Sequence, residues 1–225
     1  MEKSRIIDAI IEKEWPMFHS VNGDRRADCQ DDRPMFEAMR RAQFSVWSDE
    51  AAESYLQDLG AAAAAGRNLV REKYIRMMAS TDPKDYEAFC AELPELSAEQ
   101  QRLIKAIWAH LLEQTERLRE KYPAVALGGR PLRAEEETEG WASIETYQCG
   151  ELATYSEKTL AALLEHITAL EAEEKDLAQL IQEQSVVAMG YRSLEDAERQ
   201  IAFRFIQDMG GGECTKCGVF EDRCY

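Results

Sequence analysis

The feature that most constrains the fold of this chain is the helical spacing of its apolar residues. The clearest stripe follows Ser97, where apolar side chains recur three and four residues apart: Leu103, Ile104, Ile107, Trp108, Leu111, Leu112 and Leu118. Similar stripes run through most of the chain, and no segment shows a convincing alternation of apolar and polar residues. We therefore predict an all-α fold, a helical bundle in which these stripes pack against one another.

Helix boundaries are marked by residues that cap or interrupt helices. Ser48 and Ser193 are expected to cap helices, and Ser97 opens a capping box with Gln100. Asp82, followed by a proline, is a further predicted start. Pro16 falls inside the first stripe, so we predict that the first helix kinks or ends near there. The main irregular segment is expected at residues 123–139.

An internal duplication is suggested when the chain is shifted against itself so that position 36 falls on position 144. This shift places residues 36–87 on residues 144–195 without a gap, and it superposes Ser48 on Ser156 and Leu59 on Ile167. The order of cap, apolar stripe and break persists although few residues are identical. We predict two similar halves, 1–95 and 96–209, related by a pseudo-twofold within one compact domain. An irregular Gly- and Cys-rich tail, 210–225, follows them.

Charge and hydropathy exclude several classes of protein. The formal net charge is −16, with 27 Lys and Arg against 43 Asp and Glu, which disfavours a nucleic-acid binder because phosphates need a basic surface. Acidic residues interrupt the first twenty residues, so no signal peptide is expected. The longest uncharged apolar run, 59–65, is far shorter than the roughly 20 residues that span a bilayer. We predict a cytoplasmic protein with no membrane and no nucleic-acid partner.

The C-terminal tail carries the strongest chemical signal. Cys214 and Cys217 form a Cys-x-x-Cys pair among glycines, and Cys224 follows. In the first interpretation the three thiolates bind zinc or an iron–sulfur cluster, with a fourth ligand from Cys149, Cys29 or a histidine. In the second the pair is a redox-active dithiol arm on a glycine hinge. A solvated tail with incidental thiols is the third.

Carboxylates in equivalent positions of the two halves are the second candidate site. The same shift pairs Glu37 with Glu145 and Gln43 with Glu151. The candidate catalytic residues are therefore Glu37, Glu145, Tyr147 and Glu151, with Arg40 as a neighbour. Two-metal carboxylate bundles usually add a Glu-x-x-His pair, which this chain lacks. The alternative interpretation is that these are buried polar residues that cap or bridge helices.

Several strings of residues resemble one known family. They are Cys29-Gln30-Asp31-Asp32, Phe36-Glu37-Ala38-Met39-Arg40, Gln43-Phe44, Gly66-Arg67-Asn68-Leu69, Glu72-Lys73-Tyr74, Arg76-Met77-Met78, Glu145-Thr146-Tyr147, Gly150-Glu151-Leu152 and Thr154-Tyr155-Ser156-Glu157-Lys158-Thr159. Together they resemble the bacterial family catalogued as domain of unknown function 4125, over roughly residues 5–205. The resemblance implies a soluble bacterial helical protein, and it implies no activity.

Two functional hypotheses follow from these observations. In the leading one, the chain is a binding or regulatory protein for an unknown protein or small molecule, and its C-terminal cysteines hold a structural or sensing metal. In the alternative, it is an enzyme of small-molecule metabolism with a carboxylate-lined pocket between the halves and the tail as a redox arm. Interaction through the acidic surface, without chemistry, is a third possibility.

Overall fold

A computed structural model describes residues 2–21, 28–127, 129–138 and 141–210, apart from the side chains of residues 28, 29 and 208–210. Its α-helices are α1 (Lys3–His19), α2 (Arg33–Ser45), α3 (Asp49–Ala64), α4 (Leu69–Thr81), α5 (Pro83–Phe89), α6 (Ala98–Lys121), α7 (Pro123–Ala126), α8 (Ile144–Leu152), α9 (Glu157–Ala172), α10 (Leu177–Ala188) and α11 (Leu194–Gly210). Short 3-10 helices lie at Asp28–Asp31, Cys90–Glu92 and Ala134–Glu136. The described residues contain no strand, only an isolated bridge between Thr138 and Trp141. The predicted all-α fold is confirmed.

The predicted helix starts are confirmed by side-chain capping. The Ser48 side chain accepts a hydrogen bond from the Ala51 amide at 3.1 Å, at the start of α3. Ser97 and Gln100 form the reciprocal capping box of α6. These bonds satisfy amides that the first helical turn leaves without a partner.

The prediction at Pro16 was wrong in one respect, because α1 does not end there. The helix continues to His19 with Pro16 inside it. Proline removes the hydrogen bond to the carbonyl four residues earlier, which belongs to Glu12. Both residues lie on the exposed side of α1, where water can bind that carbonyl, so the helix continues.

The bundle is centred on the contact between α3 and α9. Helix α1 packs on α2 and α3, helix α6 packs on α8 and α9, and the two sets are joined where α2 meets α10 and α4 meets α8. Four aromatic side chains occupy the centre, with the rings of Tyr55 and Tyr155 4.8 Å apart and Phe44 and Trp47 beside them. All four are at most 3 % exposed.

A smaller apolar cluster attaches the C-terminal helix. Tyr122, Val186, Leu194 and Ala197 form it, and Ile201 packs against its edge. It fixes the first part of α11 against α7 and α10. The predicted pseudo-twofold stays a prediction at this point, and the Cys-rich tail lies outside the described residues. Among the described helices, none is both long and apolar enough to cross a membrane.

Candidate functional site

Four charged side chains from four helices meet inside the bundle, and we call them the charged cluster. They are Glu14 of α1, Arg40 of α2, Lys73 of α4 and Glu151 of α8. The two carboxylates and Lys73 are 1–9 % exposed and the Arg40 side chain is 14 % exposed. Burying a charge is costly unless it is paired and hydrogen-bonded, so the partners of each group decide what the cluster can do.

Glu151 has the most partners in the cluster. Its Oε2 accepts from Lys73 Nζ at 2.6 Å, and its Oε1 accepts from Arg40, Gln43 and Tyr155 at 2.8–3.1 Å. Burial alone would raise the pKa of this carboxyl, but the Lys73 and Arg40 cations and the hydrogen bonds hold it well below its usual range. Glu151 is therefore ionised at any physiological pH and acts as a fixed hydrogen-bond acceptor.

Glu14 is the second anion, and Arg40 lies between it and Glu151. Arg40 Nε donates to Glu14 Oε2 at 2.7 Å, and a second nitrogen of the guanidinium donates to Glu14 Oε1. Tyr55 OH also donates to Glu14 Oε1, at 2.5 Å. Burial would lower the pKa of Arg40, but the two carboxylates raise it well above the ordinary value. Two cations face two anions, so the cluster is neutral overall.

The two tyrosines complete the hydrogen bonding of the cluster. Burial, followed by the charge of the adjacent carboxylate, raises the pKa of both Tyr55 and Tyr155 well above the ordinary value. Both phenols thus stay protonated and donate to a carboxylate. Neither hydroxyl can take up or release a proton near neutral pH.

Lys73 connects the charged cluster to a stack of aromatic and cationic groups. Its Nζ lies 3.3 Å from the centroid of the Tyr147 ring. On the same ring, the Arg130 guanidinium lies 5.3 Å from the centroid, and it also lies 5.7 Å from the Trp141 ring. Such cation–π contacts stabilise a cation that has lost its water. The stack thereby joins the cluster to the connection between α7 and α8.

A glycine allows α4 and α8 to approach closely enough for the Lys73–Glu151 pair. A Cβ atom added to Gly150 would lie 3.2 Å from Met77 Cγ and 3.3 Å from the Lys73 carbonyl oxygen. Ordinary carbon contacts are longer, so a side chain here would separate the helices. Gly150 is thus needed for the close approach of α4 and α8, because the neighbouring Glu151 must reach Lys73 on α4.

The structure brings two of the four predicted catalytic residues together. Tyr147 and Glu151 both contact Lys73. Glu37 instead accepts from Arg33 at 2.7 Å, and Glu145 accepts from the Ala134 amide at 2.9 Å. The described contacts therefore do not unite the four, and a catalytic role for them stays a prediction.

Four members of the charged cluster and its hydrogen-bond partners were not predicted as site residues from the sequence: Glu14, Lys73, Tyr55 and Tyr155. A signal was present for two of them. Glu14 follows Ile10 and Ile11 at helical spacing, and Lys73 lies between Val70 and Met77 in the stripe of α4. A charged residue at a position where the period demands an apolar one indicates a buried ion pair.

The predicted metal ligands lie mostly outside the described residues. Cys214, Cys217 and Cys224 do so, as does the Cys29 side chain. The described residues contain no group of three or more His, Cys, Asp or Glu that could hold a metal. Burial and the charge of Glu145 raise the pKa of Cys149 to about 12, so this thiol stays protonated as long as no metal is bound to it.

Each histidine already has a close contact. His19 Nδ1 lies 2.9 Å from the Gln30 carbonyl oxygen, His110 Nδ1 lies 2.8 Å from Glu171, and His166 Nε2 lies 2.8 Å from the Val46 carbonyl oxygen. The contacted nitrogen of His19 and His166 is a donor, because a carbonyl oxygen only accepts. The second nitrogen of each ring is what could serve as a fourth ligand.

An open cleft of about 630 Å³ lies beside α6 and the connection from α9 to α10. Four carboxylates line it together with His110, Arg117 and Lys175. Arg117 pairs with Asp176 at 2.7 Å, so part of this charge is neutralised within the cleft wall. The cleft lies within the second predicted half rather than between the halves, and none of the predicted catalytic residues lines it.

Comparisons with known proteins give one match. The sequence model of a family described as "Protein of unknown function (DUF4125)" matches residues 4–199. The match ends within α11 and before the cysteine-rich tail. No curated protein and no solved structure matches the chain.

Proposed function

The chain belongs to the DUF4125 family, and from that premise we propose that it is a helical binding or regulatory protein of the cytoplasm whose C-terminal cysteines bind a metal. Cys214, Cys217 and Cys224 would supply three ligands to zinc or an iron–sulfur cluster. The partner that the helical body binds is a protein or a small molecule.

The observation that carries the binding role is that the charged cluster is closed on itself. General acid–base catalysis needs a group whose pKa lies near the working pH. Glu151 has a pKa far below that range, and Tyr55 and Tyr155 have pKa values far above it. Each of these groups is also occupied by partners within the bundle. The cluster is thus suited to fixing the arrangement of helices that a binding surface requires.

The metal proposal is supported by the spacing of the tail cysteines and by their place in the chain. Two thiolates separated by two residues can converge on one ion. The family match ends at residue 199, so the tail lies outside the part of the chain that matches the family. Cys149 is poorly placed as a fourth ligand because it packs against the apolar core, which leaves Cys29, a histidine or water for that place.

Metal analysis of the full chain, purified without a polyhistidine tag, tests the proposal. We expect about one zinc, or iron with matching sulfide, for each chain. The double variant Cys214→Ser/Cys217→Ser should lose the metal and keep the helical circular dichroism spectrum. Cys149→Ser is the matched control, because it removes a thiol of raised pKa from the described body and should leave the metal content unchanged.

A metal-free wild type, or a double variant with unchanged metal, would exclude the metal site. Thiol titration before and after reduction then examines the redox arm. A change of two thiols that is confined to the tail would support the arm in place of the metal.

We also propose that the two halves arose by duplication and are related by a pseudo-twofold. Helices α3 and α9 have the same length, 16 residues, and are capped by Ser48 and Ser156, which the shift of the sequence superposes. The same shift places the start of α4 at Leu69 on the start of α10 at Leu177. It also superposes Gly66 on Glu174, and both have left-handed backbone angles, with φ of 68° and 57°.

The helix contacts support the same relation. Exchanging α1 with α6, α2 with α8, α3 with α9 and α4 with α10 turns the contacts among these eight helices into themselves. The α2–α10 contact becomes the α8–α4 contact, for example, and the α3–α9 contact is unchanged. Gln43 and Glu151 are equivalent under this exchange and hydrogen-bond to each other at 3.1 Å, which supports a pseudo-twofold axis close to the charged cluster.

The enzyme hypothesis has less support. Tyr147 and Glu151 meet at Lys73, but Glu151 is enclosed by its partners, and the described cleft lies elsewhere. An enzyme with a carboxylate-lined pocket between the halves therefore stays the alternative prediction. Substitution of Glu37 or Glu145 would separate the two hypotheses once a ligand is identified, because only an enzyme would lose turnover while keeping the affinity.

A further inference from the structure

The C-terminal helix has a packed part and an uncovered part. Leu194 and Ala197 are at most 1 % exposed in the small apolar cluster, and Ile201 lies at its edge. Beyond them Phe203 is 61 % exposed and Ile206 is 68 % exposed. Phe205, between them, is 47 % exposed. Phe205 lies about 160° around the helix from Phe203, whereas Phe203 and Ile206 are three residues apart and share a face. We call Phe203 and Ile206 the apolar end of α11. Large apolar side chains grouped in this way on a surface usually mark a contact with another segment or molecule.

The size of the apolar end limits what can cover it. The uncovered fractions of Phe203 and Ile206 amount to on the order of 200 Å², given 150–250 Å² for a large side chain. A stable protein–protein interface buries about 800 Å² on each partner, so this patch is too small to hold a second copy by itself. It is a suitable size for a short peptide segment that is already tethered nearby, since tethering provides a high effective concentration.

The chain itself supplies such a segment directly after α11. Residues 213–225 follow the glycines at 210–212, and glycine adopts the backbone angles that a chain reversal requires. From residue 210 back to residue 203 the helix is about 10 Å long, at 1.5 Å for each residue. Three or four residues of extended chain cover that distance, so residues 213–225 have ample length to return.

The composition of this segment fits the apolar end of α11. It contains Val219, Phe220 and Tyr225, which can cover apolar surface. Glu221 and Asp222 follow, and the exposed Arg204 lies between Phe203 and Phe205 on the helix. The family match ends at residue 199, so the apolar end and the segment both lie in the part of the chain that extends beyond it.

We propose that residues 213–225 fold back and dock on the apolar end of α11, with Val219 and Phe220 against Phe203 and Ile206. This docking goes beyond the proposed metal site and does not require it. A metal held by Cys214, Cys217 and Cys224 would only tighten the docked segment, because it reduces the entropy that the segment loses on docking.

Hydrogen–deuterium exchange of the full chain tests the docking. In the wild type we expect the amides of residues 216–222 to exchange about tenfold more slowly than in the double variant Phe203→Glu/Ile206→Glu. Both replaced residues are exposed on the helix, so the variant should keep its fold. Val187→Glu is the matched control, because Val187 is 52 % exposed on α10 and its replacement should leave the exchange of the segment unchanged.

Two results would overturn the docking proposal. One is exchange of residues 216–222 at the same rate in the wild type and the double variant. The other is a dimer in sedimentation that the double variant converts to a monomer, since a second copy would then be the occupant. Exchange is measured in both zinc-loaded and chelator-treated samples, so that the docking and the metal site can be judged separately. Slowed exchange without bound metal removes the metal site alone, and bound metal without slowed exchange removes the docking alone.

Discussion

The contact between α4 and α8 and the contact between α2 and α10 differ in chemistry although the proposed duplication makes them equivalent. The first contains Gly150, and it pairs Lys73 with Glu151. In the other half, the positions equivalent to Gly150 and Glu151 hold Ala42 and Gln43, and the counterpart of Lys73 is Ile181. One contact is therefore charged, and the other is neutral.

If the duplication holds, this difference indicates that two helices can make such a contact without an ion pair at these positions. Buried ion pairs are often no more stabilising than apolar residues of similar volume, but removing one partner is costly. The charged contact thus adds a requirement that the neutral contact lacks. The first half must supply a cation, Lys73, and the second half must supply an anion, Glu151, at the same place. A half that paired with a copy of itself would place Gln43 against Gln43, or Glu151 against Glu151.

The largest expected effect comes from removing the anion at the centre of the charged contact. Glu151→Gln leaves Lys73 buried without its counter-ion and should lower the free energy of unfolding by about 3–5 kcal/mol. Urea unfolding measures the loss. Glu165→Gln, an exposed residue of α9, is the control and should change the value by less than about 0.5 kcal/mol. A loss for Glu151→Gln as small as the control's would mean that the cluster contributes nothing to stability.

Acid should weaken the charged contact next. The pKa of Glu151 is depressed in the folded state, so its contribution is complete above the unfolded pKa of about 4.3 and is lost as the pH falls below it. Between about pH 4.5 and 3, stability of the wild type should fall more steeply than that of Glu151→Gln, approaching an extra 1.4 kcal/mol for each pH unit. Parallel curves of unfolding free energy against pH for the two proteins would contradict the depressed pKa.

Moving the carboxylate to the position that the proposed duplication makes equivalent is a sharper test of the comparison. In Gln43→Glu/Glu151→Gln the carboxylate keeps Arg40, whose Nη1 lies 2.7 Å from Gln43 Oε1. We expect a favourable coupling of about 1–3 kcal/mol between the two substitutions, measured in a double-mutant cycle of unfolding free energies. Additive effects would argue against equivalent positions near an axis.

The smallest expected effect concerns the two left-handed residues. A non-glycine residue in this conformation costs roughly 1–2 kcal/mol, partly offset by the greater freedom that glycine gives the unfolded chain. Glu174→Gly should therefore stabilise the protein by about 0.5 kcal/mol, and Gly66→Ala should destabilise it by about 1 kcal/mol. The thermal unfolding midpoints of both variants measure these effects. Midpoints that shift in the same direction would contradict the claim that both positions require a left-handed backbone.

The fold was largely predictable from the sequence because its signals are local. Ser48 and Ser97 act on the next helical turn, so a cap can be recognised within four residues. Helix α1 continues through Pro16 because Glu12 and Pro16 lie on its exposed side. Which side of a helix is exposed depends on tertiary packing, so local sequence did not predict it. Stripes of apolar residues indicated which faces are buried, but not which helices meet.

The charged cluster was predicted only in part because its members are distant in the chain. Lys73 and Glu151 are 78 residues apart, and Glu14 and Arg40 are 26 apart. Their pairing follows from helix contacts that no local spacing encodes. Glu151 was identified because the internal duplication pointed to it, whereas the partners that neutralise it carry no such signal.

The position of Trp47 gives the molecule an internal optical reporter. Its indole is 3 % exposed and lies edge-on to Tyr155 with ring centroids 5.8 Å apart, so a chromophore from the first half touches one from the second. Light absorbed by the tyrosine should reach the indole efficiently at this range, and the indole should emit at short wavelength while it stays dry. Separation of the halves would expose this indole to water and shift its emission to the red.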